Sequence, residues 1–148
     1  MAQSLVRLCG EGDLVGVRAA LARGADVNSR VEYDIYNTGL RFAVMEKHNG
    51  VVKFLLEQPI LDDLNCTDRE GNTVLHIAAD NDNVEAVRMI LANVRLNIAN
   101  HKNCYGETPV MFAMITSSLN VLRELVAHPS VDLDTKDSFG KGLEEVAR

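Results

Sequence analysis

The segment NTVLHIAAD, Asn72 to Asp80, decides the fold, because related segments recur along the chain in the same register. A step of 35 residues forward gives ETPVMFAMI, Glu107 to Ile115. The same step backward gives NTGLRFAVM, Asn37 to Met45, and a second backward step gives AQSLVRLCG, Ala2 to Gly10. Four copies in register predict a stack of repeats rather than a domain with one closed core.

Each copy predicts two short helices followed by a turn. The first helix is expected to start at a threonine and to run for about ten residues, with apolar positions three and four apart. The second helix carries a narrow apolar stripe and is expected to start near Leu14, Gly50, Val84 and Leu119. Neither helix is long enough to be stable alone, so each needs the apolar face of the next copy. The equivalent core positions are Leu5, Leu40, Leu75 and Val110 in one column and Leu8, Ala43, Ala78 and Ala113 in another.

These units resemble ankyrin repeats. DREGNTVLHIAA, Asp68 to Ala79, is the fullest match to the family pattern, GETPVMFA follows it in part from Gly106, and GADVN, Gly24 to Asn28, matches the tail. The resemblance covers essentially the whole chain. It implies an all-α fold, a helix-turn-helix repeat solenoid with projecting β-hairpin loops. It also implies that His76 is a structural hydrogen-bonding residue between a helix start and a hairpin.

The repeat pattern predicts one domain over residues 1–148. The units fall approximately at 1–32, 33–67, 68–102 and 103–136, with a partial fifth unit at 137–148. The first hairpin, Ser29 to Asn37, is enlarged, and Tyr36 stands where a turn glycine is expected. Two interpretations of the partial unit stay open: it caps the stack, or the chain is a piece of a longer array.

Composition narrows the function classes. The net charge is −6, which opposes a nucleic-acid or anionic-membrane surface. The longest apolar run is Val110 to Ile115, far short of a membrane span. Three unpaired cysteines and the absence of a secretory signal pattern favour a reducing compartment. We therefore expect a cytoplasmic monomer, with the nucleus left open as a location.

No catalytic or metal-binding pattern emerges from the residue spacing. The four histidines fall in different repeat columns, and no Ser, Cys or Asp is spaced to form a nucleophile–base pair. There is no CxxC, HExxH or EF-hand pattern and no glycine-rich phosphate loop. The sequence thus predicts a protein that is not an enzyme and uses no cofactor or metal. A basic column on the second helices (Arg18, Lys53, Arg88 and Arg123) is interpreted as a solvated face with acids such as Glu85 nearby.

The aromatic residues indicate a binding surface instead. All three tyrosines fall in hairpin segments, where a large ring has no core to pack into and suits a binding anchor. Met45 and Ile115 follow the core pair of their helices, in the column that also holds Asp80. Acidic residues at the hairpin tips favour a partner with basic residues. The predicted protein-binding residues are Tyr33, Tyr36, Met45, Arg69, Glu70, Asp80, Tyr105, Glu107 and Ile115.

The preferred function is therefore a non-catalytic protein–protein interaction module that acts through its hairpin tips and concave inner-helix face. A stoichiometric enzyme inhibitor and a structural segment of a longer array stay open as alternatives. The family resemblance also implies two candidate sites for asparagine hydroxylation, Asn28 in LARGADVN and Asn65 in DDLN.

Overall fold

The computed structural model describes residues 4–31, 34–61, 65–93, 95 and 97–146. Paired short helices follow one another along the chain, and a small pair of strands lies after the first helix pair. The elements are α1 (Leu5–Glu11), α2 (Leu14–Ala22), β1 (Arg30–Val31), β2 (Asp34–Thr38), α3 (Gly39–Met45), α4 (Asn49–Leu56), α5 (Val74–Asp80), α6 (Val84–Ala92), α7 (Pro109–Ile115), α8 (Leu119–Ala127) and α9 (Leu143–Val146).

The helices form two layers. The inner layer stacks α1, α3, α5, α7 and α9 in chain order, and the outer layer stacks α2, α4, α6 and α8. Each inner helix also packs on the outer helix that follows it, except α9, which precedes the end of the chain. The predicted core column is buried, with Leu5 at 5% exposure and Leu75 and Val110 at 0%. The predicted helix-turn-helix solenoid is confirmed.

The inner helices are shorter than the sequence predicted. The helices α1, α3, α5 and α7 have seven residues each rather than about ten. A residue in the left-handed conformation ends each of them, at Gly12, Lys47, Asp82 and Ser117. The next amide N–H then bonds back to a carbonyl of the last helical turn, as from Asn83 to Ala78 at 2.9 Å. This tight reversal brings the outer helix back against the inner one, so the helix cannot continue.

The turn tips of the later units share one construction. Asp68 accepts the amide N–H groups of Glu70 and Asn72 on its Oδ1, at 2.9 and 2.8 Å. Asn103 and Asp137 accept the amides two and four residues ahead in the same way. Each tip then turns through a left-handed glycine, namely Gly71, Gly106 and Gly140. We call residues 68–71, 103–106 and 137–140 the turn tips.

Successive turn tips are hydrogen-bonded to one another. The amide of Cys104 donates to the Glu70 carbonyl at 2.8 Å, and that of Ser138 donates to the Tyr105 carbonyl at 3.0 Å. An added Cβ on Gly106 would collide with the Ser138 backbone, so this close approach requires glycine. The tips therefore form a continuous edge along the solenoid.

The first hairpin is built differently. Tyr36 occupies its glycine column, and the turn gives way to an antiparallel pair of strands, β1 and β2. Arg30 pairs with Thr38 and Val31 pairs with Asp34, with an irregularity between the two pairs. Within the described ranges this is the only sheet, and the later units project as tight turns. The unit boundaries proposed from the sequence stay a prediction.

The hydrogen bonds of His76 agree with its predicted structural role. Its ring is fully buried, and Nδ1 accepts the Thr73 amide N–H at 3.2 Å, which closes a capping box at the start of α5. Since Nδ1 accepts, Nε2 carries the proton and donates to the Glu107 carbonyl at 3.1 Å. His76 therefore joins its own helix start to the base of the next turn tip.

This buried ring predicts a dependence of stability on pH. Burial is the main cause that lowers the pKa of His76 from 6.5 to about 4. The unfolded chain takes up the proton near pH 6.5 and the folded chain only near pH 4, so stability should fall as the pH drops between these values. The added slope is at most about 1.4 kcal/mol per pH unit. Urea unfolding of wild type and His76→Gln at pH 7, 6 and 5 measures it, and equal slopes would contradict the assignment.

The equivalent position in the next unit lacks this bond. Met111 stands where His76 does, and the Thr108 hydroxyl is buried with no hydrogen-bond partner among the described residues. We expect Met111→His to stabilise the protein by about 1 kcal/mol, because the imidazole would pair with that hydroxyl. Met111→Leu, which fills similar space without a polar atom, should give no gain. Urea midpoints check this, and equal stability of the two variants would count against it.

Candidate protein-binding surface

The concave face of the solenoid lies between the inner helices and the turn tips. In each of α3, α5 and α7, two positions three residues apart keep exposed surface on this side of the inner layer. The first is Phe42, Ile77 and Phe112 in α3, α5 and α7, and the second is Met45, Asp80 and Ile115. We call the five apolar members of this set the groove floor. They are half-buried or exposed, with Met45 and Ile115 at 37% and 47% exposure.

One depression of about 330 Å³ lies between α3, α5 and the first turn tip. It brings together three residues predicted from the sequence, Met45, Arg69 and Glu70. Four further residues line it that the sequence analysis did not select: Asn37, Arg41, Asp68 and Ile77. Met45 of α3 and the tip residues Arg69 and Glu70 of the next unit therefore line the same depression.

A second depression of about 470 Å³ lies between α1, α3 and β1, and sequence reasoning missed it. Phe42 and Val31 supply apolar walls, and the ion pair of Arg7 with Glu11 lies at its edge. The depression is open because Gly10, at the repeat position equivalent to Met45, has no side chain that could cover Phe42. An added Cβ there would contact the Phe42 Cβ at 3.6 Å. A glycine at a repeat position where other units carry predicted contact residues is the sequence signal that could have predicted this depression.

A buried cation supports the first depression from below. Arg41 is only 4% exposed and stands in the column of His76. Its guanidinium donates to the Asn72 carbonyl at 3.1 Å and pairs with the Asp68 carboxylate, also at 3.1 Å. The bond to Asn72 matches the bond from His76 to Glu107 one unit later. Arg41 therefore positions the turn tip that carries Arg69 and Glu70.

The acids of the concave face fall into two groups. Glu70 and Glu107 accept hydrogen bonds from side-chain amides of their own tips, Asn72 and Asn103, at 3.3 and 2.9 Å. Glu107 is half-buried, so its carboxylate serves the turn itself. Glu46 and Asp80 are exposed, and no hydrogen bond or ion pair reaches their carboxylates from the part of the chain described. Free negative charge thus borders the apolar floor.

Tyr105 lies on a turn tip, and 49% of its surface is exposed. Its pKa is raised by the charges of Cys104 and Glu70, so the phenol stays neutral at physiological pH. Phe139 occupies the matching position of the last tip and is 79% exposed. Tyr33 and the side chain of Tyr36 lie outside the described residues.

The two asparagines predicted for hydroxylation differ in their surroundings. Asn28 is half-buried, and its side-chain amide donates to the Ile60 carbonyl at 2.8 Å. Asn65 is exposed. Modification at either site stays a prediction, and the carbonyl bond of Asn28 would have to open first.

The outer helices present the opposite, convex face. The basic column is exposed there, and Arg18 lies over the Phe54 ring at 4.4 Å. Arg88 pairs with Glu124 of the next unit. Glu124 and, to a smaller extent, the expected nearby acid Glu85 raise the pKa of Arg88, and Glu85 also accepts a hydrogen bond from Asn49 at 3.1 Å. These charges tie neighbouring repeats together across the surface.

The described part of the chain offers neither a metal site nor a membrane-spanning helix. Over the described ranges, no three His, Cys, Asp or Glu side chains gather closely enough to hold a metal ion. No helix there combines the length and the apolar character needed to cross a bilayer.

Comparison with known proteins agrees with the repeat architecture. The family model described as ankyrin repeats (3 copies) matches residues 5–100 and 40–137. The nuclear factor NF-kappa-B p105 subunit of Rattus norvegicus is 34% identical over 116 residues, and that of Gallus gallus is 30% identical over 105. These matches cover 78% and 70% of this chain but only 12% and 10% of the relatives.

A further relative belongs to a different kind of protein. Protein fem-1 homolog A-like of Mus musculus is 27% identical over 114 residues, which is 75% of this chain and 16% of that protein. The chain therefore spans less than a fifth of the length of each of these relatives.

Proposed function

Because the chain belongs to the ankyrin repeat family, we propose that it is a non-catalytic module that binds a protein partner on its concave face. Ankyrin repeats are generally protein–protein interaction modules. The observation that carries the proposal is the groove floor. Five apolar side chains stay accessible along it, next to two open depressions and an exposed Tyr105. We further propose that the module acts as a monomer in the cytoplasm, with the nucleus left open.

The proposed contacts divide into anchors and steering groups. Tyr105, Met45 and Ile115 supply exposed apolar area close to rigid backbone, which suits them to anchor a partner. Glu46, Glu70 and Asp80 supply negative charge, which should raise the association rate of a basic partner more than its affinity. A stoichiometric enzyme inhibitor would use the same surface, so the proposal covers that case.

We expect Tyr105→Ala and Met45→Ala each to weaken binding of a captured partner by about tenfold. The partner is first recovered from lysate on the wild-type protein and then titrated by calorimetry against each variant. Arg88→Ala on the convex face is the matched control and should leave the affinity unchanged. If only Arg88→Ala weakens binding, the working face is the convex one and the proposal is wrong.

A second candidate function, a structural segment of a longer repeat array, is supported by α8. Val126 is 48% exposed there, whereas Leu56, the equivalent residue of α4, is 7% exposed beneath α6. Leu119 of α8 is 66% exposed as well. A further helix packed on α8 would cover both side chains, as α6 covers α4. The mass of the endogenous protein tests this candidate, because an array segment requires a chain much longer than 148 residues.

A further inference from the structure

We infer that the groove takes an amphipathic α-helix of the partner, laid across the repeats, with a Lys or Arg at its centre facing Asp80. The inference rests on the proposed function of the concave face and adds the conformation and residue pattern of the bound segment. Its basis is the spacing of the groove floor and the charge at the middle of it.

The spacing follows from the stacking of the inner helices. α3, α5 and α7 pack directly on one another. Helices in direct contact have axes about 8–10 Å apart. Phe42, Ile77 and Phe112 hold the same position on these three helices, so they recur at that interval across the groove. Met45, Asp80 and Ile115 form a second row at the same interval, one helical turn away.

An α-helix comes close to the upper end of this interval and also has the two-row pattern. Side chains seven residues apart share a face of a helix and lie about 10.5 Å apart along it. In a β-strand, side chains on one face recur at about 6.6 and 13 Å, and neither distance fits. A polyproline II segment recurs at about 9.3 Å, which lies within the interval, but it presents a single row; the two rows, not the interval alone, therefore distinguish the helix. The two rows of the groove floor correspond to the two apolar positions of a helical heptad.

The groove floor also favours a bound segment whose backbone needs no hydrogen-bond partners from the groove. Its two rows present five apolar side chains and one carboxylate. They therefore offer no hydrogen-bond donor to an extended peptide lying on them. A helix pairs its own N–H and C=O groups, so it can cover such a floor without leaving backbone groups unsatisfied.

The charge of Asp80 determines which kind of side chain the centre of the bound segment should carry. The second row reads apolar, acidic, apolar along Met45, Asp80 and Ile115. The Asp80 carboxylate receives no hydrogen bond or ion pair from the described residues. A helix that covered it with an apolar side chain would bury an unpaired charge, which is costly. A basic side chain at this point pairs with it, and the exposed Glu46 adds to the same attraction.

Three synthetic peptides of about 18 residues test the inference. The first has leucines at heptad spacing and a lysine at the central position that faces Asp80. The second replaces this lysine by glutamate, and the third is a proline-rich peptide with a leucine at every third position. Fluorescence anisotropy measures the binding of each to wild type, to Asp80→Lys, and to the convex control Arg88→Ala. Asp80 is exposed at the C-terminal end of α5, where lysine is compatible with folding.

We expect wild type and Arg88→Ala to prefer the lysine peptide over the glutamate peptide by about tenfold, and Asp80→Lys to reverse this preference. Far-ultraviolet circular dichroism should show added helix on binding. The inference is overturned if no peptide binds, if the proline-rich peptide binds best, or if Asp80→Lys leaves the preference unchanged. The proposed function stands or falls separately, on the titrations of Tyr105→Ala and Met45→Ala with the captured partner.

Discussion

Replacing Leu75 by alanine is expected to lower the free energy of unfolding by about 2–5 kcal/mol. Leu75 is fully buried in α5, in the middle of the inner layer, where it packs in the core shared by neighbouring units. Truncation removes the transfer free energy of the deleted carbons and leaves a cavity that stacked helices on both sides cannot close. Because units couple mainly to their neighbours, we expect the variant to unfold in two steps.

Urea unfolding followed by circular dichroism and by a site-specific probe measures both effects. Leu119→Ala is the matched control, since Leu119 is 66% exposed at the start of α8 and its truncation should change stability by less than about 0.5 kcal/mol. A loss at Leu75 no larger than that at Leu119 would remove Leu75 from the core. The register of all four repeats would then need revision.

Arg41→Ala should lower the free energy of unfolding by about 3 kcal/mol. The substitution strips the Asp68 carboxylate of its cation and leaves the Asn72 carbonyl without the guanidinium donor. Asp68 keeps its backbone amide donors and is 23% exposed, which places the expected loss at the lower end for a broken buried pair. The first turn tip should loosen together with the loss of stability.

Hydrogen exchange of the Gly71 amide, which bonds to the Asp68 carbonyl at 3.1 Å, reports on that tip. Arg88→Ala is the control, because it breaks an exposed ion pair with Glu124 and should change little. Arg41→His should recover part of the loss, since His76 makes the equivalent carbonyl bond from the same column. Equal stability of Arg41→Ala and Arg88→Ala would show that the buried pair contributes nothing.

The sequence by itself determined the repeat, the buried columns and the exposure of Met45, Ile115 and Tyr105. These features follow from short-range periodicity, because a helix must turn its apolar positions toward the next unit. The structural role of His76 could also be predicted from the sequence, because its pairing with Thr73 is local and the family resemblance implied it. The opposite faces of inner and outer helices followed from the same pattern.

Tertiary structure alone decided the rest. Arg41 shares its column with His76 and Met111, and its role depends on Asp68, 27 residues further along the chain. The early end of the inner helices depends on left-handed Lys47, Asp82 and Ser117; Asp adopts this conformation more readily than most residues, whereas Lys and Ser rarely do. The carboxylate of Glu107, a predicted binding residue, also accepts a hydrogen bond from Asn103. For Arg41 the deciding contact comes from a segment 27 residues away, and short-range periodicity carries no information about which segments meet. The helix ends and the Glu107 contact are local, but they depend on backbone geometry that the apolar pattern does not encode.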